Sequence, residues 1–159
     1  MTKMSKIFAA VMIIGCFYIF PAAAQSDWTK ADLQSIYMEH LRQEGYVPSI
    51  DTDGDILFKV SGDNFFIIID ENDLQFFHIY TGFSLGSVSA ENALIAANYS
   101  NRRSKAAKVA ISTDGRSVAS ITAELLLPNP LDFAPVFARA LSLMRYAENN
   151  FMTYLDELK

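Results

Sequence analysis

Three aspartates at alternate positions, Asp51, Asp53 and Asp55, carry the spacing in this chain that comes nearest to a cation site. A calcium loop of the EF-hand kind also needs glycine at position six and a bidentate glutamate at position twelve. Counted from Asp51, those positions hold Ile56 and Gly62, so the ligand set is incomplete. The same residues suit a solvated hairpin turn with Asp53-Gly54 at its corner; a weak, adventitious cation site is the other reading. His40 and His78 are the only histidines, and neither has a second histidine or a carboxylate at ligand spacing. The serines form no Gly-x-Ser-x-Gly elbow, and neither a phosphate loop nor a dinucleotide fingerprint occurs. No catalytic residue, metal or cofactor is therefore assigned. The residues point to a protein that works by contact.

Charge and aromatic rings are unevenly placed. Residues 51–73 hold seven acids and one lysine, whereas Arg102, Arg103, Lys105 and Lys108 form an opposite cluster. Cations at a helix C-terminus complement its dipole, so a capped helix and a solvated loop explain them. The functional alternative is a patch for an acidic partner, a lipid headgroup or the acidic hairpin of a second subunit. Phe65, Phe66, Phe76, Phe77, Tyr80 and Phe83 fall within 19 residues. A three-layer core could absorb them all. Otherwise part of one sheet face is left open, and an exposed apolar patch marks an interaction site.

The first 24 residues say where the protein works. Lys3 and Lys6 precede an apolar run over residues 7–20, followed by Pro21-Ala22-Ala23-Ala24 and polar Gln25-Ser26-Asp27. That order describes a secretory signal peptide over residues 1–24, cleaved after Ala24, and a periplasmic or secreted domain over residues 25–159. Two alternatives stay open. Ile13-Ile14-Gly15-Cys16 resembles a lipobox that would lipidate Cys16. Residues 7–24 also reach the lower limit of the roughly 17–25 needed for an uncleaved anchor. Cleavage removes Cys16, the one cysteine, so the mature domain is held by core burial without disulfides. Losing Lys3 and Lys6 leaves 11 basic against 18 acidic residues, a net charge of −7. Such a domain does not attract nucleic acid through its overall field.

These residues must be positioned by a small set of elements. Residues 29–44 predict a helix, with Thr29 and Asp32 as a partial capping box, a stripe of Leu33, Ile36, Tyr37 and Leu41, and Gly45 as a left-handed cap. Strands follow at residues 47–50, 56–60, 65–69 and 74–80, joined by turns so tight that an antiparallel meander is expected. The 65–69 strand is apolar at every position, as in a strand covered on both faces. Residues 82–86 read as a loop, and Ser87 or Ser89 opens a helix to about Ser100 with Ala90, Ala93, Leu94 and Ala97 inward. Residues 106–113 and 117–127 form a hairpin around Asp114-Gly115, with Ala119, Ile121, Ala123, Leu125 and Leu127 on the buried face. Asp132 caps a last helix to about Leu158, with Pro135 in its first turn. The expected fold is a single α+β domain, mainly an antiparallel sheet, in the order α-β-β-β-β-α-β-β-α.

Gly45-Tyr46, then Ile50-Asp51-x-Asp53-Gly54-Asp55-Ile56-x-Phe58-Lys59, then the 65–69 strand together resemble the YbjN family, described as candidate bacterial sensory transduction regulators. Agreement continues through Asn98, Asn101, Lys108-Val109 and Asp114-Gly115, over nearly all of residues 29–158. The family is similar in fold to type III secretion chaperones, whose twisted sheets carry helices and often dimerise around partner proteins. The resemblance implies a non-enzymatic, interaction-based role and brings no catalytic residues. Expected partner contacts are Phe76, His78 and Tyr80 on the sheet, Arg102 and Arg103 after the middle helix, and Phe151 and Tyr154 on the last helix. The partner is another protein or a second copy of the chain. A periplasmic carrier of an apolar ligand or lipid is the alternative, with Phe66 and Phe77 lining a cavity between sheet and helix.

Overall fold

The computed structural model describes residues 28–112 and 118–158. Helix α1 (Lys30–Gln43) begins at a complete capping box: Thr29 accepts from the Asp32 backbone, and Asp32 accepts from the Thr29 backbone. Aspartate therefore fills the role that glutamate usually takes. Gly45, at φ +87°, ends the helix. Its N–H donates to the Arg42 carbonyl and that of Tyr46 to the Leu41 carbonyl, satisfying two orphaned acceptors of the last turn.

The strands are β1 (Ser49–Ile50), β2 (Ile56–Val60), β3 (Asp63–Ile68), β4 (Phe76–Ser84), β5 (Ala107–Ser112) and β6 (Val118–Leu126). Helix α2 (Ala90–Asn101) separates β4 from β5, and a short 3-10 turn (Pro130–Asp132) leads into α3 (Phe133–Glu157). All strand pairs are antiparallel, and the sheet order is β1-β2-β3-β4-β6-β5. The single α+β domain in the expected order is what the chain forms. The Asp114-Gly115 turn and the leader lie outside the described residues.

Several local expectations need correction. Asp132 does not cap the last helix: it ends the 3-10 turn and makes no side-chain cap hydrogen bond, and it is Asn129 that accepts from the Leu131 N–H ahead of it. The predicted loop at residues 82–86 begins too early, because β4 runs on through Ser84 and pairs Gly82 with Ser120. The expected strand at residues 47–50 shrinks to Ser49–Ile50, with Val47 91% exposed. In α2 the inward face is Ala93, Ala96, Ala97 and Ser100, and Leu94 points out at 49% exposure. Small side chains let α2 approach α3 closely enough for the Ser100 hydroxyl to donate to the Ala147 carbonyl at 2.7 Å.

The layers decide everything that follows. Ile56 and Phe58, Phe65 and Ile67, Phe77 and Ile79, Ala119, Ile121 and Ala123, and Ala107 and Val109 point to one side of the sheet and are buried. The buried stripes of all three helices join the same cluster. Ring contacts carry the seam: Tyr37 meets Phe77 and Phe133, Phe58 meets Phe137, and Phe83 meets Phe151. Among the described residues the fold thus has two layers, helices on one face of a sheet. The expectation that β3 is covered on both faces is wrong: Phe65 and Ile67 are buried, but Phe66 and Ile68 are only half-buried on the side without helices.

Candidate interaction surface

The uncovered face follows from strand periodicity. Successive side chains alternate sides, so the register places Leu57, Phe66, Tyr80, Thr122 and Lys108 in one row across the sheet. The next row is Ile68, His78 and Glu124, followed by Phe76 opposite Leu126. The aromatic run at residues 65–83 is therefore divided evenly. Phe65, Phe77 and Phe83 serve the core, and Phe66, Phe76 and Tyr80 lie on the open face. Phe66 and Tyr80 rings approach to 6.0 Å, Phe76 and His78 to 5.9 Å, and Leu126 is 73% exposed. Among the described residues no helix lies over this face.

Gly82 belongs to it too. A Cβ added there would meet the Tyr80 hydroxyl at 2.5 Å, so the Tyr80 ring lies along its own strand over the glycine. Tyr80 is half-buried on this face.

The polar part of the surface is a cross-strand pair, Lys108 with Glu124, beside His78. The Lys108 hydrogen bond holds the Glu124 carboxyl below its ordinary 4.5. Burial of the imidazole holds His78 below its ordinary 6.5; Glu124 and Asp55 pull in the other direction, and Lys108 reinforces the burial. Its Nε2 is buried and has no hydrogen-bond partner among the described residues. The folded protein thus takes up this proton less readily than the unfolded chain does. Stability is full above about pH 6.5 and falls as acidification proceeds below it, levelling off once the folded-state imidazole is itself charged. Glu124 contributes in a separate window, below 4.5. Urea midpoints measured between about pH 7.5 and pH 5 should decline in the parent protein and flatten in His78→Gln. Equal slopes in both would remove His78 as the cause.

The expected partner contacts are not one site. Phe76, His78 and Tyr80 come together on the open face. Arg102, the C-cap of α2, and Arg103 lie in the helical layer. Phe151 is 0% exposed, a core residue because α3 buries a stripe along its whole length, and it is unavailable to a partner. Tyr154 stacks on Tyr99 with centroids 3.9 Å apart, and the Arg103 guanidinium sits 3.5 Å from the Tyr99 ring centroid. The last turns of α3 pack on α2, and Asn92 Nδ2 donates to the Leu158 carbonyl. That end of the helix is engaged within its own chain.

Sequence reasoning missed Leu57, Ile68, Glu124 and Leu126 as members of the open face. The alternation of β6 contained the signal, since Leu126 stands on the polar side of a strand whose other side is buried. The carrier reading loses its cavity: Phe77 is 1% exposed in the core, whereas Phe66 is on the opposite face, so the two cannot line one space. The aspartate loop is likewise accounted for. Asp51 Oδ1 accepts from the backbones of Asp53 and Asp55 at 3.0 and 2.9 Å, and Asp55 Oδ1 accepts from that of Ile69 at 3.0 Å. Lys30 supplies the cation, donating to the Asp53 carbonyl at 3.0 Å and pairing with Glu71 at 3.4 Å. The loop is a clasp between α1 and the sheet.

No protein-family profile matches the chain, and no curated protein matches it. Solved structures do. An uncharacterised protein from Methanothermobacter thermautotrophicus superposes with a TM-score of 0.58 at 13% identity, covering 79% of this chain and 97% of that one. YbjN from E. coli, described as a proposed transcription regulator, superposes with a TM-score of 0.53 at 11% identity, covering 77% and 88%. At such identities the likeness is one of architecture: this chain has the fold of YbjN.

Proposed function

We propose that this chain is an exported, non-enzymatic interaction module with a regulatory or chaperone-like role, holding another protein or a second copy of itself against the open face of its sheet. The observation that carries the reading is the one-sided helical layer. It leaves Leu57, Phe66, Ile68, Phe76, Tyr80 and Leu126 as a continuous apolar strip, rimmed by Lys108 and Glu124. Monomeric proteins seldom leave such a strip uncovered without a binding role. Amphipathic tyrosine and aromatic rings with a charged rim match the make-up of protein interfaces. Export rests on the leader over residues 1–24, with the lipidated Cys16 form as the variant that would keep the module at a membrane.

A photo-cross-linker placed at position 80 or 126, in the chain expressed with its own leader, should give one discrete adduct, and the same probe at Arg42 should give none. Leu126 is exposed, so Leu126→Asp leaves the fold intact and should reduce the position-80 adduct about tenfold or more, as expected for a charge placed in an apolar contact. Mass spectrometry of the adduct tells self-association from a different partner. No adduct from either position, or an adduct insensitive to Leu126→Asp, would refute the open face as the contact surface. Recovery in the cytoplasm with residues 1–24 still attached would refute export.

A further inference from the structure

The helical side carries a second feature, independent of the sheet face. Arg103 and Lys105, from the segment between α2 and β5, meet Arg139, Ser142, Leu143 and Tyr146 of α3 around an open cleft of about 270 Å³. The α3 residues follow the spacing i, i+3, i+4 and i+7, which puts them on one helix face. Among the described residues no carboxylate lines the cleft. Among the described residues the ion pairs are Lys30–Glu71, Lys108–Glu124, Arg145–Asp63 and Arg145–Glu148, so none of the three cleft cations is paired. In a chain with 18 acids and 13 bases, three cations gathered on one concavity without an acid repel one another. That arrangement is favourable when an anion joins it.

Arg103 is held ready. Its guanidinium packs on Tyr99, whose ring is stacked on Tyr154 at an interplanar angle of 5°. A guanidinium immobilised on an aromatic stack has already lost much of the side-chain entropy that binding would otherwise cost. Two guanidinium forks, one ammonium and the Ser142 hydroxyl offer more donors than a single carboxylate can accept. They suit a dianion with three terminal oxygens. Tyr146, 51% exposed, and Leu143 add an apolar flank for whatever carries the phosphate.

We propose that this cleft binds a phosphate monoester, with Arg103, Lys105 and Arg139 as its charge ligands and Ser142 as a neutral donor. The cleft opens on the helical layer, so it can be occupied while the sheet face holds a partner. Two sources share the chemistry, a soluble ester and a phosphatidic acid headgroup, and two arms separate them. Calorimetry of the protein, purified after expression with its own leader, is made at low salt with phenyl phosphate. Co-sedimentation is measured with vesicles of phosphatidylcholine alone and with added phosphatidic acid.

Arg103, Lys105 and Arg139 are exposed, so Arg103→Gln and Arg139→Gln leave the core untouched. Each should weaken binding about tenfold or more, the cost of one charge-assisted contact. Arg42→Gln, an exposed cation outside the cleft, should leave it unchanged. Saturable phenyl phosphate binding with this pattern supports the site and a soluble ester. Co-sedimentation that needs phosphatidic acid and is lost in the same two variants supports the site and a headgroup. No binding in either arm, or binding that Arg42→Gln lowers as much as the cleft variants do, overturns the proposal.

Discussion

Replacing Phe137 by alanine is expected to cost about 3–5 kcal/mol of stability, the usual range for a phenylalanine removed from a packed core. Phe137 is 1% exposed, and its ring lies 5.3 Å from Phe133, 5.3 Å from His40, 5.9 Å from Phe58 and 6.1 Å from Tyr46. It therefore touches α1, the residue that closes the α1 cap, β2 and α3 at once. With a total stability of about 5–15 kcal/mol for a domain of this kind, the loss is a large fraction of the whole. Urea denaturation checks it, with Leu94→Ala as a surface control expected to stay within about 0.5 kcal/mol. Losses under about 1 kcal/mol for Phe137→Ala would mean that the surrounding rings close over the gap, and that α1 is not fastened through this residue.

The second large effect concerns the edge of the sheet. β5 is the last strand, and its outer backbone groups would otherwise face solvent or another chain. The Asn101 side chain covers the pair at Val109 as a strand would: its Nδ2 donates to the Val109 carbonyl at 2.9 Å, and its Oδ1 accepts from the Val109 N–H at 2.7 Å. Asn101→Leu removes both bonds and leaves two part-buried polar groups without partners, at an expected cost of about 1–3 kcal/mol. It also frees an edge for pairing with other chains, so light scattering should rise on storage. Amide exchange at Val109 reports the local event directly. Protection retained in Asn101→Leu would show that the side chain is not what closes the edge.

Asn101 also shows how a sequence can hold a correct signal with its reason hidden. Its place late in the middle helix was part of the likeness to YbjN, yet no local pattern says that an amide will reach the next strand. Asp32 is the opposite case. The Thr29-Asp32 spacing is a local instruction, and the capping box it describes forms in full because both partners lie within one turn. Gly45 is similar, since a left-handed residue after a helical stripe can do little else. β2 keeps its expected bounds of Ile56–Val60, because flanking turns define it from both ends.

Errors arose where two outcomes share one local pattern. Phe65 to Ile69 is apolar throughout, and a strand buried on both faces and a strand with one apolar open face look alike over five residues. Leu94 fits a helical stripe as well as Ala96 does, and only the position of α3 selects between them. Phe151 and Tyr154 recur at proper helical spacing, but that spacing does not say whether the stripe meets the chain's own sheet and α2 or another molecule.

From the residues alone came the element types and order, the caps of α1 and α2, the acidic balance and the expected export leader, because each of these is written in a few neighbouring side chains or in composition. Tertiary structure decided which side of the sheet the helices cover, which three of the six clustered aromatics remain outside, and which cations meet across the cleft from α3. Those outcomes depend on where segments distant in sequence pack against one another, and packing compares whole faces, with many residues contributing to each.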